Sequence, residues 1–513
     1  MRRRDFLTTA SAGAMPASQS PSGPSSQPSE RPNILWIMAD QLRYDCLGAN
    51  GNRLIQTPHL DRLAARSALF SHAFVQSRVC VPSRISYFTG RYPHAHRNRV
   101  NYTPLDARET LIQRRLQSAG YRTGAAGKLH YYPPTAGHAR STGFDTVRLD
   151  DGVSATDPFS DYVRWRKDHD PLAATPYQAL APKPGGNPFR GAIAYENSPT
   201  AWVGRETRAM LASLAREQQP FFLFSSFFKP HAPYTVAEPY DSLFDHVEIP
   251  LPRQMTLDDI QRLPLPVQRQ ILRGRPQYGM DRTRLQWIYR SYYASVKMID
   301  DEVGRILDIL RQTGQESNTI LVFSTDHGDQ LLEHGLEGKN VFFESSVRVP
   351  FLMALPGRIR PGRRDEIVET VDVLPTLFDL CGLPVPSGVQ GRSFAPLLTS
   401  AAPYAPREFA FAENIIPEVI TNRALDLPYV PGQGVGGIRH PDAKMLRTSR
   451  WKFNHYPGHG GELYDLANDP GEERNLYSDP AQLPRVREMK DRLLDFLITA
   501  GETGQIAPRW LLR

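Results

Sequence analysis

The chain has 513 residues, with 61 Lys and Arg against 54 Asp and Glu, a formal charge of +7 and 40% hydrophobic residues. That length and apolar content support one large folded domain with a smaller companion. The basic residues are scattered among acids instead of forming dense runs, which argues against a nucleic-acid partner, and the three cysteines, Cys46, Cys80 and Cys381, exclude a disulfide framework.

The opening stretch "MRRRDFLTTASAGA" is a cationic run followed by a short, weakly apolar segment and a small-residue cleavage site at Ala12-Gly13-Ala14. Arg3-Arg4-Asp5-Phe6-Leu7 resembles a twin-arginine export signal, which implies a periplasmic or secreted enzyme that folds, and receives its cofactor or modification, before export. Ser and Pro dominate Pro16 to Pro32 and suit a linker, so residues 1–30 are set apart from the fold. No later apolar run reaches the ~20 residues of a membrane span.

Beyond the linker, "NILWIMA" from Asn33, "FFLFSSFF" from Phe221 and "TILVFST" from Thr319 predict buried strands. Leu111, Ile112 and Leu116 share a helical face that ends at Gly120, and Val296, Ile299, Val303, Ile306 and Leu310 form a longer stripe. Strand-helix alternation of this kind predicts an α/β domain with a mainly parallel sheet and active groups at the carboxyl ends of its strands. Residues 151–199 are rich in Pro and Gly without sustained periodicity and predict long loops over one face of the sheet. The catalytic domain is expected over 31–402. Residues 403–513 are expected to form a small antiparallel appendage and a terminal helix near Leu483 to Leu497, with Trp451 and Tyr464 in its core.

Two strand ends carry polar pairs: Asp40-Gln41 after the first strand and Asp326-His327 after "ILVFST". Either pair alone also fits a helix cap or turn. Together they could share one cation over the sheet edge. Cys80 precedes Val81-Pro82-Ser83-Arg84; Pro82 would keep the residue before it extended, and Ser83-Arg84 would open a helix whose amino terminus favours a thiolate. A lone cysteine is otherwise a buried apolar filler.

"CVPSRISYFTGRYP", with Cys-x-Pro-Ser-Arg followed by Thr89-Gly90, resembles the signature of the type I sulfatases of the alkaline phosphatase superfamily. "PNILWIMADQLRYDCLG", "TPHLDRLAARSALFSHAF", "STDHGDQLLEHGLEGKNVFFESSVRVPF" and "ELYDLANDPGEERNL" extend the resemblance, in order, over most of the chain. It implies an alkaline phosphatase-like fold: a large mixed, mainly parallel sheet sandwiched by helices, with a smaller C-terminal α+β subdomain. It also implies that a maturation enzyme oxidises Cys80 to formylglycine. One hydroxyl of the hydrated aldehyde would attack sulfur and release the alcohol; the second would then expel sulfate and regenerate the aldehyde.

Carried over by position, Asp40, Gln41, Asp326, His327 and modified Cys80 would hold one divalent ion, calcium by expectation, with magnesium or manganese as alternatives. Arg84 would orient the hydrated aldehyde, Lys128 would bind it and the sulfate, and His130 would assist proton removal from its second hydroxyl. His231 and Lys339 would hold sulfate and help protonate the departing oxygen. Lys229, Arg43, Glu333 and His334 are expected only in ion pairs or in support of these groups.

Gln41 stands where many members of the family carry a second aspartate and His327 where many carry asparagine, and glutamine there also occurs in relatives resembling choline sulfatases and phosphonate monoester hydrolases. The expected substrate is therefore an anionic sulfate ester, with a sulfated carbohydrate as the first choice. A phosphonate monoester or phosphodiester hydrolase and a non-catalytic carbohydrate-binding relative are the competitors. The 151–199 loops and the segment Ile415 to His440 are expected to contact the alcohol, and no motif bears on oligomeric state.

Overall fold

Asn33–Asp40 forms a strand, β1, buried along its whole length. Ile34, Trp36 and Met38 enter one apolar cluster while Leu35, Ile37 and Ala39 enter another. The run is apolar without alternation because both of its faces are covered. Trp36 packs edge-on against Tyr87, Phe88 and Phe224, and its indole N–H donates to Ser324 Oγ at 2.8 Å, so its one polar atom is satisfied inside the core.

The computed structural model describes residues 31–152, 156–169, 178–180, 186–278, 281–339, 341–399, 403–415 and 442–500. The expected export signal lies outside these residues, as does nearly all of the 415–440 segment.

In chain order the following strands are β2 (Ala68–Phe74), β3 (Arg122–Gly127), β4 (Thr146–Leu149), β5 (Arg190–Ala194), β6 (Phe221–Pro230), β7 (Val236–Glu238), β8 (Thr319–Thr325), β9 (Arg348–Ala354) and β10 (Gly362–Glu369). Eight strands form one sheet in the order β10-β2-β9-β8-β1-β6-β3-β4, and β5 pairs with β7 separately. Within the large sheet β9 runs against both neighbours and the other pairings are parallel. The carboxyl ends of β1, β2, β3, β4, β6 and β8 therefore share one edge. Helices Cys80–Thr89, Ile112–Ser118 and Val373–Leu380 cover one face; Pro58–Ala65, Pro199–Leu214 and Arg282–Gln312 cover the other. This is the mixed, mainly parallel sheet between helices that the alternation and the resemblance imply. The 296–310 stripe lies inside the Arg282–Gln312 helix, which Asp281 caps by accepting from Thr283 N.

After the large sheet, β11 (Phe409–Ile415), β12 (Asp442–Thr448), β13 (Trp451–Tyr456) and β14 (Gly460–Asp465) form an antiparallel sheet, followed by the helix Leu483–Ala500. Ala410, Ala412, Ala443 and Met445 join the core of the large sheet, whereas Phe411, Leu446, Phe453 and Leu463 pack on Val486, Met489 and Leu493 of that helix. Tyr464 is fully buried, while Trp451 stays at the rim between Arg450 and Arg485.

The 151–199 region departs from the expectation of loops alone. It contains the helix Asp161–His169 and β5. Tyr162 and Val163 anchor that helix in the core despite its polar sequence, so tertiary burial outweighs a weak local pattern.

Candidate active site

The loop after β2 leads directly into the helix Cys80–Thr89, all ten residues of which are buried. The helix begins at Cys80, earlier than the Ser83 start expected from Pro82. The extended residue is Val79 (φ −104°, ψ 136°) and not Val81, because a proline in the first turn has no intrahelical N–H bond to lose. Gly90 closes the helix at φ +67°, and a Cβ there would stand 2.8 Å from Val389 Cγ1. Cys80 thus sits at the buried amino terminus of a rigid helix, facing the carboxyl ends of β1 and β8. All three cysteines are free thiols.

Asp40, at the end of β1, and Asp326, just past β8, are both fully buried. Lys128 Nζ lies 2.5 Å from Asp40 Oδ2, and Arg84 bridges the two acids, with Nε 2.8 Å from Asp326 Oδ2 and Nη2 3.4 Å from Asp40 Oδ2. Arg84 Nη1 also donates to the Lys128 carbonyl (2.7 Å) and to Ser226 Oγ (2.9 Å). Burial alone would raise both carboxylates, but Lys128 foremost holds Asp40 well below the usual range, and Arg84 foremost lowers Asp326.

His327 Nδ1 bonds the Gly328 carbonyl at 2.9 Å, which makes it the protonated nitrogen and points the Nε2 lone pair at Cys80 Sγ, 3.1 Å away. Burial lowers this ring to about 4, so it is neutral near pH 7. Lys339 Nζ lies 3.1 Å from the same sulfur and 2.6 Å from Gln41 Oε1. Burial would push the Cys80 thiol up, yet Lys339, Lys128 and a hydrogen bond from His231 together bring the thiol below its ordinary value.

The donor set fits a divalent cation. One ligand atom from each of Asp40, Cys80, Asp326 and His327 lies within 4.8 Å of the others, and buried Asp40 Oδ1 has no hydrogen-bond partner. Gln41, at φ 65°, brings its side-chain oxygen beside this group through Lys339, while its Nε2 donates to Asp329 Oδ2 at 2.6 Å.

His130 also adopts a positive φ of 54° and is buried with Nδ1 unpartnered; burial, then the Lys128 charge, keeps its ring neutral. Asp151, just past β4, holds this loop by accepting from the Leu129 and His130 amides at 2.9 and 3.0 Å. Gly127 lets the loop leave β3: at φ +91°, a Cβ there would fall 2.0 Å from the Ser226 carbonyl oxygen. His231 is partly exposed, bonds the Ala232 carbonyl through Nδ1 at 2.6 Å, and is lowered by burial and then by Lys339.

The structure thus gathers Asp40, Gln41, Cys80, Arg84, Lys128, His130, His231, Asp326, His327 and Lys339 at one sheet edge. Lys229 turns away from it: its amine donates to the Pro233 carbonyl, and burial lowers it to about 7. Arg43 braces the loop after β8, pairing with Asp45 and Glu333 at 2.6 Å each and donating to the carbonyls of Asp329 (3.3 Å) and Gln330 (3.2 Å). His334 stacks on Phe343 with centroids 3.9 Å apart. Sequence reasoning missed Asp151, Asp329 and Ser226. Asp151 and Asp329 follow strand ends as Asp40 does, and that placement was the available signal.

A family model described as Sulfatase matches residues 32–383. The chain belongs to the sulfatase family. It is 28% identical over 498 residues to an arylsulfatase of Clostridium perfringens (strain 13 / Type A), covering 90% of this chain and 94% of that protein. It is likewise 28% identical over 505 residues to a choline-sulfatase of Rhizobium meliloti (strain 1021), covering 94% and 91%. Among solved structures, a phosphonate monoester hydrolase from Silicibacter pomeroyi shares the fold of this sulfatase, with a TM-score of 0.80 and 24% identity over 93% of this chain and 97% of that one.

Proposed function

We propose that this sulfatase hydrolyses a sulfate monoester by S–O cleavage, with a sulfated carbohydrate as substrate, a nucleophile made by oxidising Cys80 and calcium as the metal. The observation that carries the reading is the position of Cys80 Sγ, 3.1 Å from both His327 Nε2 and Lys339 Nζ, beside two carboxylates tied together by Arg84. The sulfur marks where the oxygens of formylglycine would stand; that residue supplies, once hydrated, two hydroxyls on one carbon. A divalent ion held by Asp40, Gln41, Asp326, His327 and the position-80 side chain supplies charge that stabilises an ester oxyanion.

The remaining work falls to this chain's own side chains. Lys128, Arg84 and Lys339 gather positive charge around an anionic ester, offsetting the carboxylates beneath it. The neutral ring of His130 can take a proton from the second hydroxyl at pH 7, and His231 and Lys339, in the roles the family resemblance implies, would give one to the departing alcohol oxygen. Export to the periplasm, after modification by a formylglycine-generating enzyme, follows from the twin-arginine-like opening.

Matched aryl sulfate and aryl phosphonate monoesters test the assignment: sulfate release should dominate, and a large preference for the phosphonate would transfer the site to the competing activity. The Cys80 peptide of active protein should be about 18 Da lighter than its thiol form, since a carbonyl oxygen replaces SH and H.

A further inference from the structure

Beside the catalytic loop stand two aromatic side chains with no part in the chemistry above. The rings of Tyr102 and Tyr132 meet at 58° with centroids 5.2 Å apart, and Tyr132 lies 6.0 Å from the His130 ring. Tyr102 is 45% exposed and holds φ at 67°, a left-handed conformation that bulky residues avoid and that persists only where the surroundings impose it. Those surroundings are specific. Asn101 Oδ1 accepts from the amide of Val81, the residue next to Cys80, at 3.1 Å. Asn98 Nδ2 donates to the Thr103 and Pro104 carbonyls, both at 3.0 Å, and Leu105 N donates to the Tyr132 carbonyl at 3.0 Å. The loop is fastened on one side to the nucleophile helix and on the other to the segment that carries Lys128 and His130.

Strain spent to expose a large ring, on a loop tied to both halves of the catalytic machinery, marks a binding surface and not a packing residue. The ring on view is apolar, half exposed and tilted against a second ring, an arrangement that offers a flat face for stacking. We propose that Tyr102 and Tyr132 form the subsite for the alcohol portion of the ester, and that this portion is a ring with an apolar face, either an aryl group or a pyranose. The proposal rests on the sulfatase reading above.

The test compares KM and kcat for 4-nitrophenyl sulfate, glucose 6-sulfate, ethyl sulfate and choline sulfate in wild-type enzyme, Tyr102→Ala and Tyr102→Phe. Tyr102→Ala should raise KM for at least one ring ester about three- to tenfold, as expected for loss of one stacked ring, with kcat nearly constant. Ethyl sulfate, which has no ring to stack, should change less than about twofold under the same stacking argument, and Tyr102→Phe should restore the ring-ester KM. Which ring ester responds tells aryl from pyranose. Tyr102→Gly, which accepts the left-handed backbone, is the second variant should Tyr102→Ala fail to fold. An equal KM rise on ring and open-chain esters, no rise at all, or a larger rise on choline sulfate (a quaternary-ammonium cage) would overturn the proposal. If wild-type enzyme releases no sulfate but cleaves phosphonate monoesters, the sulfatase reading fails by itself, and the same comparison between phenyl and ethyl phosphonate esters decides the subsite.

Discussion

Replacing Asp329 with alanine should weaken the metal centre without touching any of its ligands. Asp329 is fully buried; its Oδ2 accepts from Gln41 Nε2 at 2.6 Å and from Tyr234 OH at 3.4 Å, and its Oδ1 accepts from Leu331 N at 2.8 Å. The first of these bonds decides which way the Gln41 amide faces: with Nε2 bound to Asp329, Oε1 accepts from Lys339 Nζ, which also touches Cys80 Sγ. Asp329→Ala leaves the Gln41 N–H₂ and the Leu331 N–H without acceptors, a cost of about 1–3 kcal/mol for each buried donor that water does not reach. It also frees the amide to turn. Loss of a group that orients a metal ligand typically costs about 10–100-fold in affinity. Calcium titration by calorimetry on the full chain should show that loss, and added calcium should raise Tm less than it does in wild type, as mass action requires. Asp329→Asn, which can still offer an oxygen to Gln41, should fall between the two. An unchanged calcium affinity in Asp329→Ala, alongside a lowered Tm, would refute the orienting role and leave Asp329 as a packing acceptor only.

Three further outcomes are expected. Arg84→Gln should cost about 3–5 kcal/mol in urea melts and abolish turnover, because Asp40 and Asp326 would then lie buried without the guanidinium that joins them; a near-native melt would show that Lys128 compensates for both. His96 accepts from Asn98 N at 3.2 Å through Nδ1, and burial lowers it to about 3 from an ordinary 6.5, so the unfolded chain takes a proton there that the folded one refuses. Its stabilising contribution is complete above about pH 6.5 and drains away as pH falls, by about 1.4 kcal/mol per unit, so His96→Gln should flatten the stability decline between about pH 5.5 and about pH 4.5 by that slope; parallel curves for the two proteins would contradict it. Chelation should lower both turnover and Tm, and calcium should restore both, since Asp40 Oδ1 otherwise stays buried without a partner; a chelator-insensitive Tm would count against a resident ion.

The order and type of the main elements could be read from the chain because each is a local pattern. β1, β6 and β8 are short apolar runs, the Arg282–Gln312 helix carries a regular stripe, and the polar residues that end those strands fall at one edge once the strands run parallel. The family motif added roles that no local pattern contains. What could not be read was set by contact between distant segments. Asp329 meets Gln41 across 288 positions, Asp151 holds the His130 amide from 21 positions away, and the loop of Tyr102 is tied down by Asn101 reaching Val81 across 20. The helix Asp161–His169 was invisible because its few apolar residues find their partners only in the assembled core.

Residue chemistry along the chain, read with the family motif, was therefore sufficient to nominate the groups of the candidate site, since ligand atoms, charges and the oxidisable thiol belong to the side chains themselves. Only the folded molecule could decide how those groups are aimed and charged, because orientation and pKa depend on burial and on neighbours that chain connectivity does not bring together.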